Sequence, residues 1–280
     1  MRILSYNIHG WRTLGDRMNL GLLVELLKST EADIIGLNEV YHPVAMETST
    51  ALSFLAEQLG MYVAFAAKRP WQSPGDIAMG ASGNALLSRY PFLSTVSGLF
   101  SSIPGKKQRG FLEGRIAWRS GQTYSIVVTH FDPTDEQTRQ AQFAELLEWF
   151  EQTGSRPDMI LGDFNCINPR EYEHHPKAYA ALSNLPEVAK HLVNSPEGPQ
   201  LARKIEQAGY IDVLAQNGSG RCGTFIPAQI PVRLDYIWLR SDRLPHLSWT
   251  TIIEEPSGQE ASDHRPVLAE LTTTEVSTIG

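Results

Sequence analysis

The residues in this sequence whose types could do chemistry are Asn7, Glu39, His130, Asp163, Asn165, Asp235, Asp263 and His264. They are carboxylates, carboxamides and imidazoles. Carboxylate and amide oxygens suit a hard cation such as Mg²⁺, which keeps several of its waters and needs one or two protein carboxylates. The Cys and His spacing of a zinc site is not seen in the sequence. An Asp or a His can orient a water and take its proton. Imidazole and amide donors can meet the charge that builds on phosphoryl oxygens. A His next in space to an Asp is held in one tautomer and made more basic. Metal-assisted hydrolysis of a phosphate ester is the chemistry that uses all of these groups together.

Their positions along the chain follow one rule: each falls at the end of a predicted strand. Asn7 ends "RILSYNI" and Glu39 ends "DIIGLNE". His130 ends "TYSIVVTH", and Asp163 and Asn165 follow "DMILG". Asp235 starts "DYIWLR", while Asp263 and His264 precede "RPVLAEL". If the last two strands run antiparallel to the others, all of these residues lie on one edge, where loops can present polar groups. Taken singly, each Asp or Asn reads as ordinary turn chemistry. Taken together, that reading needs several unrelated turns to deliver acceptors and imidazoles to one edge. The period of two along a strand predicts that Asp163 and Asn165 share a face.

The elements that must hold these ends read as alternating helices and strands. Leu20, Leu23, Val24 and Leu27 have helical spacing, as do Leu52, Leu55 and Leu59 before Gly60. A third helix is predicted with Thr134 as N-cap, Gln137 three residues on, and Gly154 as its stop. Shorter helices are expected near 176 to 183 and 199 to 208. "MYVAFAA", "NALLSR" and "FLEGRIAW" are further strands, and "RSGQT" reads as the hairpin turn into "TYSIVVTH". That hairpin would bring "GKKQRG" to the mouth of the site, making Lys106, Lys107 and Arg109 a positive rim for an anionic substrate. Asn84 is a further candidate substrate contact. Trp11 and Trp71 are expected on nearby loops, for stacking on substrate or for packing. The pattern predicts one α+β domain over residues 1–280, built on two sheets with helices outside.

The bulk numbers set limits. The chain has 280 residues, 42% of them hydrophobic, a net charge of -7 and two cysteines. The acidic balance argues against broad polyanion binding through a basic surface. Two cysteines are too few for a disulfide framework, which points to a reducing, cytoplasmic setting. Neither a secretory leader nor a membrane span is expected.

The segments "SYNIHG", "GLNEV", "GNALLSRYP", "VVTHF", "LGDFN", "LDYIW" and "SDHRPV" span residues 5 to 267. In that order they resemble the endonuclease/exonuclease/phosphatase superfamily, which includes DNases, AP endonucleases, neutral sphingomyelinases and inositol polyphosphate 5-phosphatases. The resemblance implies a four-layered α/β sandwich, two packed mixed sheets flanked by helices. It implies Mg²⁺ (or Mn²⁺) held by Glu39, Asn7 and Asp263. It implies that Asp163 orients and activates the water, Asn165 binds the phosphate, and Asp235 orients His264. His264 would be a base or a phosphate-binding cation, and His130 would stabilise the phosphate or assist the leaving group. Two departures stand out. His9 replaces an acidic residue of AP endonucleases, and His130 lacks the acidic partner that DNases supply from an earlier strand, for which Glu113 is a candidate. The substrate is a phosphate ester left open in kind. A nuclease or DNA-repair enzyme is the alternative, and a non-catalytic binding module on this fold is a second. Oligomeric state is not legible.

Overall fold

The computed structural model describes residues 1–72, 79–118, 121–172, 176–182, 184, 199–217, 223–228, 232–256 and 258–272. In chain order the first half comprises β1 (Arg2–Asn7), α1 (Leu20–Thr30), β2 (Ile34–His42), α2 (Ala51–Leu59), β3 (Tyr62–Gln72) and β4 (Met79–Ser88). Then follow β5 (Phe92–Leu99), β6 (Gly110–Ala117), β7 (Thr123–His130), α3 (Glu136–Thr153) and β8 (Met159–Asp163). The chain continues through α4 (Pro176–Leu182), α5 (Leu201–Gln207), β9 (Tyr210–Asp212), α6 (Val213–Asn217), β10 (Asp235–Arg240), β11 (Leu247–Ile252) and β12 (Val267–Leu271).

Local chemistry accounts for the helices. Leu20, Leu23 and Leu27 form the buried stripe of α1. The Thr50 side chain caps α2 by accepting from Ser53 N, and Gly60, at φ 62°, stops it. Helix α3 begins one residue later than predicted. Its cap is Asp135, which accepts from Gln137 N, while the Thr134 hydroxyl turns to Asp132 and Lys106.

The strands form two six-stranded mixed sheets, in the orders β11-β12-β1-β2-β4-β3 and β5-β6-β7-β8-β10-β9. Each sheet contains one parallel pair, β1/β2 and β7/β8. Leu23, Leu27, Leu52 and Leu55 pack the first two helices on one sheet. Phe143, Leu146, Leu201 and Ile205 pack α3 and α5 on the other. Ile3, Ile34, Val128 and Leu161 fill the space between the sheets. The result is the expected four-layered α/β sandwich. Strand β5 was not legible in the sequence because its residues are mostly exposed and show no alternation. Strands β9 and β11 also escaped, the former being three residues long.

The last two expectations about direction hold. Strand β10 runs antiparallel to β8, and β12 antiparallel to β1. The hairpin register is also as inferred, with Phe111 opposite Thr129, although Arg119 and Ser120 of the predicted turn fall outside the described residues.

Candidate active site

Three neighbouring strands set the floor of the site. His130 at the end of β7 pairs in register with Asp163 at the end of β8, and Asp163 pairs with Asp235 at the start of β10. A polar residue on each strand end therefore meets its neighbour at strand spacing. Gly162 makes the close approach feasible. At φ 142° it lies where a Cβ would stand 1.9 Å from the Thr129 carbonyl oxygen, so no side chain fits there. The opening of "LGDFN" is thus a packing requirement that hands over to a buried carboxylate.

Asp163 is the hub. Its Oδ2 accepts from Asn7 Nδ2 at 3.0 Å, and Oδ1 accepts from Asn165 N at 2.9 Å. His130 Nε2 and His264 Nε2 stand 3.4 Å and 3.9 Å from the same Oδ2. Burial, then the nearby Asp235 charge, push the Asp163 carboxyl up to about 7, against the opposing pull of His264. His264 Nδ1 lies 2.7 Å from Asp235 Oδ2. Burial alone would lower the His264 value, but Asp235, Asp163 and Asp263 together raise it well above the ordinary range. The Phe225 ring packs against the imidazole, centroids 5.2 Å apart. Thr224 Oγ1 accepts from Asp235 N and fixes the start of β10.

Asn165 reaches this group by a different route from the one expected. Strand β8 ends at Asp163, and Asn165 has a left-handed φ of 48°. A tight turn closed by Asn165 N–H on Asp163, not strand alternation, brings the two together. The Asn165 side chain donates to Phe131 O at 3.2 Å.

The first sheet supplies the opposite wall. Asn7 is registered with Asn38 across β1/β2. A bulge interrupts the β2–β4 pairing between Leu37 and Val40. Ile35 and Leu37 face the helix-covered core, and the next residue to do so is Val40. Glu39, with φ 55°, is the extra residue, and the bulge takes it off that apolar face and leaves it half-buried. Ser262 Oγ donates to Asn7 O, and Asp263 follows directly, with His9 Nε2 3.8 Å from its Oδ2. His9 N donates to Asn7 Oδ1. Gly10, at φ 62°, keeps this loop against Tyr41, whose ring a Cβ would meet at 2.8 Å. Trp11 is buried there, with Nε1 on Tyr41 O, so it packs and does not stack on a ligand. The Trp71 side chain lies outside the described residues.

Several sequence candidates have other occupations. Asn84 is fully buried, donating to Gly110 O and Val128 O and accepting from Asn38 Nδ2. It joins the two sheets and faces no substrate. Asn38, missed in the sequence, completes this clamp by accepting from Asp163 N at 2.7 Å. A lone carboxamide in the apolar run "IIGLNE" was the available signal. Lys106 is also not a rim cation. It turns back to Thr134, Asp132 and Asp135 at the start of α3. Lys107 is exposed and Arg109 is buried, with Nη1 3.0 Å from His130 Nδ1. Glu113 binds Ser125 and Ser155 hydroxyls further along β6, so it is not the acid partner of His130. The buried Lys68 of β3 adds its charge near His130 and had no signal in the sequence.

Asp163, Asp235 and His264 have ligating atoms within 4.8 Å of one another and form a group that could hold a metal ion. Asn7 is tied to the segment of Asp263 through the Ser262 hydroxyl, and Glu39 follows Asn38, the register partner of Asn7. No helix among the described residues is long and apolar enough to cross a membrane.

A family model described as "Endonuclease/Exonuclease/phosphatase family" matches residues 4–264. A crystal structure of an endonuclease/exonuclease/phosphatase from Beutenbergia cavernae is similar, with TM-score 0.71 and 16% identity over 99% of this chain and 73% of that one. A mannosyl-6-phosphatase from Bacteroides thetaiotaomicron gives TM-score 0.68 and 15% identity over 98% and 100% of the two chains. An AP endonuclease from Archaeoglobus fulgidus gives 0.67 and 18%, also over 98% and 100%. These likenesses concern the fold. No curated protein matches the sequence.

Proposed function

The chain belongs to the endonuclease/exonuclease/phosphatase family, and from that premise we propose that it hydrolyses a phosphate ester with a divalent cation, Mg²⁺ or Mn²⁺. The observation that carries this reading is the ring around Asp163 Oδ2: Asn7 Nδ2, His130 Nε2 and His264 Nε2, with His264 held from behind by Asp235.

The donors fit a hard cation. Asn7 ends β1, Glu39 follows Asn38, the register partner of Asn7, and Asp263 follows Ser262, whose hydroxyl bonds to Asn7 O; Glu39 and Asp263 are partly open, which leaves room for water ligands. A cation bound by Asn7, Glu39 and Asp263 would neutralise charge on the phosphoryl oxygens. Asp163, Asp235 and His264 are better used otherwise. The 2.7 Å bond occupies His264 Nδ1 and Asp235 Oδ2 with each other.

The two titrating groups divide the proton work. His264 is held as a cation by the carboxylates around it, so its Nε2–H faces the substrate as a charged donor. Asp163, with a value near 7, has a substantial carboxylate fraction at neutral pH and accepts the proton of the attacking water. Asn7 and Asn165 N–H orient its two oxygens.

The net charge of -7 favours a small or lipid-derived phosphate over nucleic acid. The test is a panel of p-nitrophenyl and bis-p-nitrophenyl phosphate, inositol phosphates, sphingomyelin and abasic or nicked DNA with Mg²⁺ or Mn²⁺. Turnover of a small ester with no steep salt dependence is expected. Preference for DNA with such a dependence would make the protein a nuclease. No turnover of any member would leave a binding module.

A further inference from the structure

The two histidines that flank Asp163 have opposite partners behind them. His264 Nδ1 meets the Asp235 carboxylate, whereas His130 Nδ1 meets the Arg109 guanidinium at 3.0 Å. Arginine has hydrogen-bond donors and no acceptor, and it keeps its charge at any physiological pH. An imidazole nitrogen facing it must therefore present a lone pair. The remaining proton then sits on Nε2, the nitrogen 3.4 Å from Asp163 Oδ2.

We infer that Arg109 is a positioning residue that fixes His130 as the neutral Nε2–H tautomer, so that His130 hydrogen-bonds the phosphoryl group and is not the proton source for the leaving oxygen. This deepens the proposed hydrolysis and rests on it for its substrate. The surroundings agree from every side. Burial is the largest effect against a second proton on His130, and Arg109 and Lys107 from the segment before β6, Lys68 from β3 and His264 from the segment before β12 each add to it. Among the described residues, Asp163 from β8 is the carboxylate paired with His130, 3.4 Å from its Nε2. The carboxylate of β6 itself, Glu113, is engaged by Ser125 and Ser155. His130 and Arg109 are both buried, at 1% and 5% exposure, so water does not relax the constraint.

The division of roles follows from chemistry. A neutral imidazole N–H is a far poorer acid than an imidazolium, and it keeps its proton throughout the reaction. It can still donate to an oxygen that gains charge. A glutamine amide can donate from the same reach, whereas it cannot transfer a proton.

Long-range ¹H–¹⁵N spectra of the metal-free protein, with the His130 signals assigned by their loss in His130→Gln, read the tautomer directly. The wild type should show protonated Nε2 and bare Nδ1 across the neutral range, and Arg109→Met should lose that pattern by mixing tautomers or gaining a second proton. Arg109→Lys, which keeps a charged donor, should keep it, and serves if the Met variant does not fold. In turnover, His130→Gln should fall about tenfold and His130→Ala about a hundredfold or more, the usual cost of one such donor. A protonated Nδ1 in the wild type, or equal losses in the Gln and Ala variants, would overturn the inference. Absence of wild-type turnover would instead overturn the hydrolase reading, and the spectra would still report on Arg109.

Discussion

At the ends of β1 and β2 the side chains Glu39 and Asp263, with neighbouring His9, are partly open to solvent. At the ends of β7 and β8, and at β10, His130, Asp163, Asp235 and His264 are at most 4% exposed. Both walls are rich in carboxylate and imidazole, yet burial makes them different instruments. The open wall leaves its oxygens within reach of water, which suits a hydrated cation that exchanges only some of its waters. The closed wall removes water, so each charge there depends on its immediate partners. Two histidines 3.4 Å and 3.9 Å from the same oxygen then acquire opposite character, because one backs onto a carboxylate and the other onto a guanidinium.

Asp163→Asn should break this contrast most severely. Turnover should fall roughly 10³-fold or more, since the variant removes the group proposed to accept the water's proton. The same change should stabilise the metal-free fold at alkaline pH. The folded-state value of Asp163 is raised to about 7, so the acid's contribution to stability is present below the ordinary Asp value and is lost as pH rises through about 7. Thermal melts should show Asp163→Asn gaining on the wild type between about pH 4 and pH 8. A constant difference across that range would mean that Asp163 titrates normally.

Glu39→Gln tests the open wall. Turnover should fall roughly 10²-fold or more, with weaker Mg²⁺ or Mn²⁺ binding by calorimetry and an unchanged melt in the absence of metal. Unchanged metal affinity would transfer the cation to the Asp163, Asp235 and His264 group and erase the distinction between the walls.

Asp235→Asn should cost roughly ten- to a hundredfold in kcat. The amide still hydrogen-bonds to His264 Nδ1 but no longer favours the imidazolium, so the NMR titration of His264 in metal-free protein should move to lower pH. An unmoved titration would show that Asp163 and Asp263 suffice to hold the charge.

The smallest effect is expected at the rim. Lys107 is exposed and Lys106 is tied to α3, so Lys107→Ala should raise KM for an anionic substrate about twofold with little change in kcat. Screening over about 8 Å at physiological salt should abolish the difference as salt rises. A fall in kcat instead would place Lys107 within reach of the phosphoryl group.

Much of the framework was legible because its signals are local. Helices α1 and α2 announced themselves by apolar spacing and, for α2, by a glycine stop. The polar residues at strand ends stood out against apolar runs, and the ordered motifs that hold them carried the family resemblance that implied the fold. The failures were contacts between distant segments. Asn84 looked like a ligand residue because the sequence cannot show that Asn38, Gly110 and Val128 use its amide. Glu113 looked like a partner for His130 because hairpin position alone does not reveal the competing serines on β7 and before β8.

The sequence by itself determined which chemical groups stand at the strand ends, since two-residue alternation and turn residues act over a few neighbours. Whether Asp163 and Asn165 meet through a strand face or a turn, where Glu39 points after its bulge, and which histidine is a cation were decided only by the tertiary structure. The physical reason is range. A proton's affinity for a buried group is set by desolvation and by charges a few ångströms away, and at Asp163 those charges, on Asp235 and His264, come from 72 and 101 residues further along the chain, a distance spanned by folding and not by any local pattern.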